Sequence, residues 1–313
     1  MIAAIGLNTS IDRRYIVDKT QWGGVHRVKN CVCTPGGKGL NVARIIHTMG
    51  EKVIAAGFIG GHSGAYVQEM LDMEGVPNEF VKAGAETRSC INILDLSSGA
   101  HTEFLEPGAA ILPDEYDAFI LVYRSLLKRC KVITLSGSLP GGLLPTTYGL
   151  LVKMARENGV KVLLDTSGEA LKAALPYGPS LIKPNEEEIV QLINVNGLSL
   201  QSIARAASSL HAKGVERAVV SLGGRGAILA CDEGVYYAQP PVIEPVNTVG
   251  CGDAMTASLA ISFARGDTAQ EALRQAVAIS AASALSQQTG GLDINEYSGI
   301  LPKVILTTLQ TGK

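Results

Sequence analysis

Residues 247–253 read Asn-Thr-Val-Gly-Cys-Gly-Asp, and the mostly small residues Ala-Met-Thr-Ala-Ser follow at 254–258. This order predicts an extended segment, a glycine corner and then a helix, whose free N–H groups favour an anion. A bound phosphate would repel a carboxylate beside it. Asp253 therefore indicates a general base, which takes a proton from a hydroxyl group attacking that phosphate. The alternative is that Asp253 simply opens a helix, where its charge suits the helix dipole.

The composition excludes several classes of protein. The chain has 313 residues, of which 46% are hydrophobic, enough for a large buried core. Its formal net charge of −2 gives no bulk positive field for nucleic acid or an anionic membrane. Its apolar runs are all shorter than the about 18 residues that indicate a membrane span. We expect a cytoplasmic protein with reduced cysteines, in which any phosphate is bound by a local site.

Strand and helix patterns alternate from about residue 114 onward. This alternation predicts an α/β fold with a doubly wound, mostly parallel sheet flanked by helices. Two hairpins, near 9–34 and 86–106, are predicted to form a small β-sheet lid over a cleft at the carboxyl edge of the main sheet. We expect residues 1–313 to form a single domain. The helices predicted after residue 113 span 114–129, 145–158, 168–174, 185–193, 199–213, 254–264, 269–288 and 295–310.

A second glycine-rich stretch, Pro-Gly-Gly-Lys-Gly-Leu-Asn-Val-Ala, occupies residues 35–43 and precedes a helix predicted from about Leu40 to Met49. Its glycines allow the backbone to approach a ligand closely. It is not a Walker A loop, because neither Ser nor Thr follows Lys38. The alternative is a tight connection without a ligand, although Lys38 and Asn41 favour a polar one.

Two further side chains are candidates for ligand binding. Asp12 follows the first predicted strand, Ile2–Leu7, and could bind substrate hydroxyl groups or merely cap a turn. Arg88 carries the planar fork that suits a phosphate, and its alternative is a surface ion pair. The later strands also end in polar or glycine-rich residues, namely 136–138, Asp165, 183–185 and 221–226.

Taken in order, three motifs resemble those of the ribokinase/PfkB carbohydrate kinase family along nearly the whole chain. They are the Gly-Gly-Lys-Gly loop at 36–39, Lys-Pro-Asn at 183–185 with Glu188, and Gly-Cys-Gly-Asp at 250–253. Segments 8–12, 87–88 and 136–140 resemble the sugar-phosphate branch of that family, which includes tagatose-6-phosphate kinases, 1-phosphofructokinases and the minor 6-phosphofructokinase. Tagatose-6-phosphate kinases are the most similar, and 1-phosphofructokinases are almost as similar.

The resemblance implies ATP-dependent phosphorylation of a ketohexose phosphate to a bisphosphate, with ATP and Mg²⁺ as cofactors. It implies that Asp253 is the general base and that the N–H groups of Gly250, Cys251 and Gly252 hold the transferred phosphoryl group. It assigns the sugar hydroxyl groups to Asp12, Gly37 and Asn41, and the substrate phosphate to Lys38 and Arg88. Gly36 and Ser138 are assigned to the rest of the substrate site. The nucleotide site is assigned to Lys183, Asn185, Ser221, Gly223, Gly226 and Thr248. Asn185 and Glu188 are assigned to Mg²⁺ through water.

The chain departs from the family pattern at two positions of the corner. Asn247 replaces the usual Asp, which leaves dependence on K⁺ open, and Cys251 replaces the usual Ala. Because Cys251 lies at a helix N-terminus, we expect a lowered pKa and a reactive thiol.

Two other functions stay open at this stage. One is a kinase for an unphosphorylated sugar or a nucleoside, for which a phosphate-binding Arg88 would be superfluous. The other is a non-catalytic sensor of sugar phosphates, which would have no need of a base at Asp253. The lid strands could also pair across a homodimer, because exposed strand edges favour a partner.

Overall fold

The computed structural model describes residues 1–193 and 197–310; positions 194–196 and 311–313 of the expected 1–313 domain lie outside the described residues. The strands are β1 (Ile2–Gly6), β2 (Ser10–Val17), β3 (Asn30–Gly36), β4 (Val53–Gly60), β5 (Asn78–Ala83), β6 (Arg88–Asp95), β7 (His101–Leu105), β8 (Val132–Ser136), β9 (Lys161–Asp165), β10 (Leu181–Ile182), β11 (Arg217–Ser221), β12 (Ala227–Cys231), β13 (Gly234–Gln239) and β14 (Ile305–Leu309). The α-helices are α1 (Lys38–Thr48), α2 (Gly61–Met73), α3 (Pro113–Arg129), α4 (Thr147–Glu157), α5 (Gly168–Ala174), α6 (Glu186–Leu192), α7 (Leu200–Ala212), α8 (Cys251–Arg265), α9 (Ala269–Ala284) and α10 (Ile294–Ile300).

A ten-stranded sheet forms the centre of the described chain, in the order β14-β13-β12-β11-β10-β9-β8-β1-β4-β5. The strands from β11 to β5 are parallel, and β12, β13 and β14 are antiparallel. All residues of β1, β4 and β8 are buried, because helices cover both faces of the sheet. The predicted doubly wound, mostly parallel sheet is confirmed.

Two hydrophobic cores lie against the large sheet. One contains Leu40 of α1 and Leu259 of α8, and the other contains Phe119 of α3 and Leu151 of α4. None of the helices in the described ranges combines the length and hydropathy that a bilayer crossing requires.

A separate four-stranded sheet has the order β3-β2-β6-β7. The pairs β2–β3 and β6–β7 are antiparallel, which confirms both predicted hairpins, whereas β2 and β6 pair in parallel. Asp12 lies on the central strand β2, opposite Thr34 on one side and Cys90 on the other. We call these four strands the lid sheet.

Two predicted helices extend too far, and the strands β14 and β5 were not predicted. The last helix was predicted over 295–310, but α10 ends at Ile300, a short 3₁₀ turn that contains Pro302 spans Leu301–Lys303, and Ile305–Leu309 pairs with β13. Proline disfavours a continued helix, and the β-branched residues of 305–309 suit a strand. The helix predicted over 269–288 ends at Ala284, whose carbonyl accepts hydrogen bonds from the N–H groups of Val246 and Asn247. Strand β5 was not predicted; within the described chain it is a sheet-edge strand that pairs with β4 alone.

The start of α1 lies directly against β1. A Cβ added at Gly39 would overlap the backbone nitrogen and Cα of Gly6. Glycine at position 39 therefore allows the helix that begins at Lys38 to lie close to the end of the first strand.

Gly39→Ala is expected to destabilise the protein by about 1–3 kcal/mol, the usual cost of forcing extra atoms into a packed contact. The matched control is Gly299→Ala in α10, where an added Cβ would meet no heavy atom of the described chain within 4 Å beyond its chain neighbours and the backbone of its own helix. That change should be neutral or stabilise by up to about 1 kcal/mol through helix propensity. Chemical denaturation measures both variants, and equal effects would contradict the packing argument.

Candidate active site

A cleft of about 890 Å³ lies between the carboxyl edge of the large sheet and the lid sheet. Polar strand ends named from the sequence line this cleft, including Ser136, Lys183 and Ser221, whereas Asp165 is buried. The site residues assigned from the sequence all line this cleft: Asp12, Gly36, Gly37, Lys38, Asn41, Arg88, Ser138, Lys183, Asn185, Glu188, Ser221, Gly223, Gly226, Thr248, Gly250, Cys251, Gly252 and Asp253.

Asp253 lies in the first turn of α8. Gly250, with φ of 88°, turns the chain into that helix through the left-handed region that favours glycine. The Asp253 side chain is buried, and its Oδ2 accepts a hydrogen bond from Asn41 Nδ2 at 2.8 Å. The pKa of Asp253 is raised to about 7, chiefly by burial; the charge of Lys38 opposes this rise, and the nearby charge of Asp165 adds to it. Asp253 is thus a carboxylate that can accept a proton near neutral pH.

Asp165 is an important group that the sequence indicated only as a polar strand end. Its carboxylate is fully buried below the cleft, where it binds Lys38 Nζ at 3.0 Å and Lys183 Nζ at 3.1 Å and accepts a hydrogen bond from Thr256 Oγ1 at 2.9 Å. Burial by itself raises the pKa of Asp165, but the two ammonium groups outweigh it and hold the pKa at about 2. The available signal was its place at the end of a central strand.

Lys38 is held at the cleft by its salt bridge to Asp165. Asp165 raises the pKa of Lys38 well above its usual range, burial opposes this, and Asp253 adds to the rise. The Lys38 side chain is 41% exposed, so its ammonium group is fixed on one side and open to the cleft on the other.

On the lid side, Asp12 sits against the glycine-rich loop. A Cβ at Gly36 would overlap the Asp12 carboxylate, so glycine is required there. Gly37, with φ of 87°, precedes α1 and supplies a backbone hydrogen bond to Asp12. Ser10 Oγ donates to Asp12 Oδ1 at 2.7 Å, and burial raises the pKa of Asp12.

The guanidinium of Arg88 reaches into the cleft from β6. It donates to the carbonyl of Asn8 at 3.1 and 3.3 Å and to that of Glu106 at 2.9 Å. Asn8 Nδ2 in turn donates to Ser138 Oγ at 3.0 Å. The fork of Arg88 is therefore positioned by backbone carbonyls, and no acidic side chain in the described ranges forms an ion pair with it.

Most residues assigned to the nucleotide follow the ends of β10 and β11, and Thr248 lies in the segment before α8. Asn185 caps α6, and its Oδ1 accepts the N–H of Glu188 at 2.8 Å while Glu188 Oε2 accepts the N–H of Asn185 at 2.9 Å. Together they form a reciprocal capping box. Within residues 1–193 and 197–310, no cluster of three or more His, Cys, Asp or Glu could hold a metal ion.

The expected reactivity of Cys251 is corrected by its surroundings. Burial, together with the charge of Asp253, raises the pKa of the Cys251 thiol to about 12, whereas the helix N-terminus was expected to lower it. The thiol is thus protonated at neutral pH, and a negative group next to it keeps it so.

The backbone N–H groups of the corner differ in whether they are already bonded. The N–H of Cys251 donates to the carbonyl of Thr248 at 3.3 Å, whereas the N–H groups of Gly250 and Gly252 donate to no acceptor in the described chain.

Comparisons with known proteins agree with this fold. Residues 1–295 match the family model described as pfkB family carbohydrate kinase. The structure of Escherichia coli phosphofructokinase-2 with substrates and products is 31% identical, with a TM-score of 0.91 over 96% of this chain and 98% of that one. The same enzyme in complex with potassium is 32% identical, with a TM-score of 0.90 and the same coverage. A Thermotoga maritima protein described as a possible 1-phosphofructokinase is 24% identical, with a TM-score of 0.90 over 99% of both chains, which supports the fold alone.

A ribokinase-like α/β fold with a buried carboxylate at a glycine corner defines a class of small-molecule kinases. The chain belongs to the pfkB family of carbohydrate kinases. It is an ATP-dependent sugar kinase, as the sequence predicted.

Proposed function

We propose that the chain transfers the γ-phosphoryl group of ATP to a hydroxyl group of a ketohexose phosphate, giving a ketohexose bisphosphate and ADP. The observation that carries the proposal is the buried Asp253 carboxylate, whose pKa of about 7 suits proton transfer, beside the free N–H groups of the glycine corner. A base and an anion site at one helix start are what phosphoryl transfer to a hydroxyl group requires.

In this proposal the substrate oxygen attacks the γ-phosphorus while its proton passes to Asp253. The new oxygen–phosphorus bond forms as the bond to the β-phosphate oxygen breaks, and ADP leaves with the electron pair. Asn41 Nδ2, at 2.8 Å from Asp253 Oδ2, orients the base. The N–H groups of Gly250 and Gly252 face the charge of the transferred phosphoryl group, and Lys38 adds a cation on the same side.

The donor set in the cleft fits Mg²⁺ held mainly by nucleotide phosphates and water. Glu188 lines the cleft, its Oε2 is already bonded to the N–H of Asn185, and the described residues offer no three-ligand cluster. Asn185 and Glu188 would therefore hold such an ion through water. When bound, Mg²⁺ would neutralise phosphate charge as the transfer proceeds.

A phosphorylated acceptor is favoured by the guanidinium of Arg88, which is fixed by the carbonyls of Asn8 and Glu106 and lacks a carboxylate partner among the described residues. The sequence resemblance favours tagatose 6-phosphate. Fructose 6-phosphate is the second candidate, because E. coli phosphofructokinase-2 in complex with fructose-6-phosphate is 30% identical to this chain, with a TM-score of 0.89.

Asp253→Asn is expected to lower kcat by about 10²–10⁴-fold while leaving nucleotide affinity nearly unchanged, because a positioned base is lost. In the native protein, kcat/KM for the sugar should fall as the pH drops below about 7, since the raised pKa leaves Asp253 protonated there. Steady-state assays and nucleotide titration measure both effects.

The matched control is Cys251→Ala, which leaves the carboxylate in place and should keep both the turnover and the pH profile. Near-normal turnover of Asp253→Asn would mean that Asp253 only opens the helix.

A panel of fructose, fructose 1-phosphate, fructose 6-phosphate and tagatose 6-phosphate in a coupled ADP assay tests the acceptor. We expect at least one ketohexose phosphate to have a far higher kcat/KM than fructose. Arg88→Ala should lower that advantage by about 10–100-fold, the value of one charge-assisted contact to phosphate. Turnover of fructose should change little in this variant.

Arg88→Lys is the control that keeps the charge but loses the planar fork. Its preference for a ketohexose phosphate over fructose should lie between those of the native protein and Arg88→Ala. Equal use of fructose and its phosphates would overturn the choice of acceptor, and no ADP release with any sugar would favour a sensor.

We further propose a homodimer that forms through the lid sheet. Its outer strands β3 and β7 are edges, and Trp22 and Phe104 beside them are 86% and 45% exposed. E. coli phosphofructokinase-2, 31% identical to this chain, has a structure described as its tetrameric inhibited form.

Sedimentation velocity is expected to give a dimer that Trp22→Ser and Phe104→Ser weaken. Leu121→Ser, which replaces a 67% exposed leucine on α3, should leave the dimer intact. A monomeric native protein would contradict this proposal.

A further inference from the structure

Arg14 is a buried cation that connects the lid sheet to the rest of the cleft. It lies on β2, two residues after Asp12 and on the same face, and only 8% of it is exposed. Arginine is rarely this buried unless it is paired with an acidic group. Among the described residues, however, no carboxylate lies within ion-pair distance of Arg14.

The partners of Arg14 are two backbone carbonyls from distant parts of the chain. Its Nη1 donates to the carbonyl of Gln287, and its Nη2 donates to that of Val246 at 3.4 Å. Its Nε is buried without a partner in the described structure. The two terminal nitrogens of the guanidinium group therefore join β2 to two other segments that are not its neighbours in sequence.

Both acceptors belong to segments that frame the glycine corner. Val246 immediately precedes Asn247, whose Nδ2 lies 3.3 Å from Thr289 Oγ1 and whose Oδ1 accepts the N–H of Val249. Gln287 precedes the loop in which the Gly290 nitrogen lies 3.1 Å from where a Cβ of Gly250 would sit. A shift of either carbonyl would therefore be passed on to the backbone that opens α8.

We propose that Arg14 is a positioning residue that sets the distance between the sugar-binding face of the lid sheet and the glycine corner. The proposal rests on the proposed phosphoryl transfer. Asp12 on the lid sheet and Asp253 in α8 must act on one substrate molecule, although they lie in separate parts of the fold. Arg14 bonds the strand that carries Asp12 to both loops that support Asp253.

The experiment compares Arg14→Ala and Arg14→Lys with Arg13→Ala. Arg13 is the next residue on the same strand, and its guanidinium donates to Cys33 Sγ at 3.7 Å, on the other face. Hydrogen exchange is first measured without substrate. Both Arg14 variants should exchange faster in segments 10–17, 246–250 and 285–290, and Arg13→Ala should match the native protein there.

The kinetic arm uses whichever sugar the native protein phosphorylates. Arg14→Ala should lower kcat/KM for that sugar by about 10²-fold, the order of loss for a misplaced reacting group, with nucleotide affinity retained. Arg14→Lys should recover little, because an ammonium group cannot bind both carbonyls as a fork does. Guanidinium at a low, non-denaturing concentration should restore part of the activity of Arg14→Ala but not of Arg14→Lys.

Native hydrogen exchange in Arg14→Ala, or full activity of that variant, would overturn the proposal. A loss of thermal stability without guanidinium rescue would also overturn it, because Arg14 would then only stabilise the fold. If the native protein phosphorylates no sugar phosphate, the proposed function fails, and hydrogen exchange still tests the link made by Arg14.

Discussion

The salt bridges from Asp165 to Lys38 and Lys183 hold the centre of the cleft together. Lys38 begins α1, Asp165 ends β9 and Lys183 follows β10, so one buried carboxylate fixes three segments of the cleft floor. Such a pair is costly to break, because the remaining charge would stay buried without a partner. Both lysines form salt bridges with Asp165, and their charges also lower the pKa of Asp253, with which they form no salt bridge in the described chain. The result is two nearby carboxylates whose pKa values are pushed in opposite directions, as an acid–base site requires.

These opposite shifts have opposite effects on folding. The pKa of Asp165 is lowered to about 2, so its contribution to stability is present above its unfolded pKa and is lost as the pH falls toward 2. The pKa of Asp253 is raised to about 7, so the folded state binds its proton more tightly than the unfolded state. Stability is therefore lost as the pH rises from the usual carboxylate range to about 7. Asp253 weakens the fold at the pH at which its carboxylate can act.

The sequence predicted the parts of the site that depend on local backbone chemistry. Gly36 leaves room for the Asp12 carboxylate and Gly250 adopts a left-handed conformation, and both requirements appear as glycines in the chain. Sequence reasoning failed where long-range contacts decide. Asp165 gains its importance from lysines at distant positions, and the pKa of Cys251 follows burial and a neighbouring carboxylate and not its place at a helix start. The strand at 305–309 likewise depends on pairing with β13.

Buried polar atoms without a hydrogen-bond partner occur both in the cleft and away from it, so only their position shows which of them could bind a ligand. Asn41 Oδ1 and Ser136 Oγ are buried without partners, and Thr134 Oγ1 and Ser258 Oγ are equally unpartnered within the described chain. Each such group costs about 1–3 kcal/mol, so their number does not identify a site. Asn41 and Ser136 differ because they line the cleft, where a substrate hydroxyl group could bind them. Thr134 and Ser258 do not line the cleft. A ligand that forms hydrogen bonds with these cleft atoms would remove the cost of leaving them unpartnered. Substrate binding should therefore stabilise the folded protein.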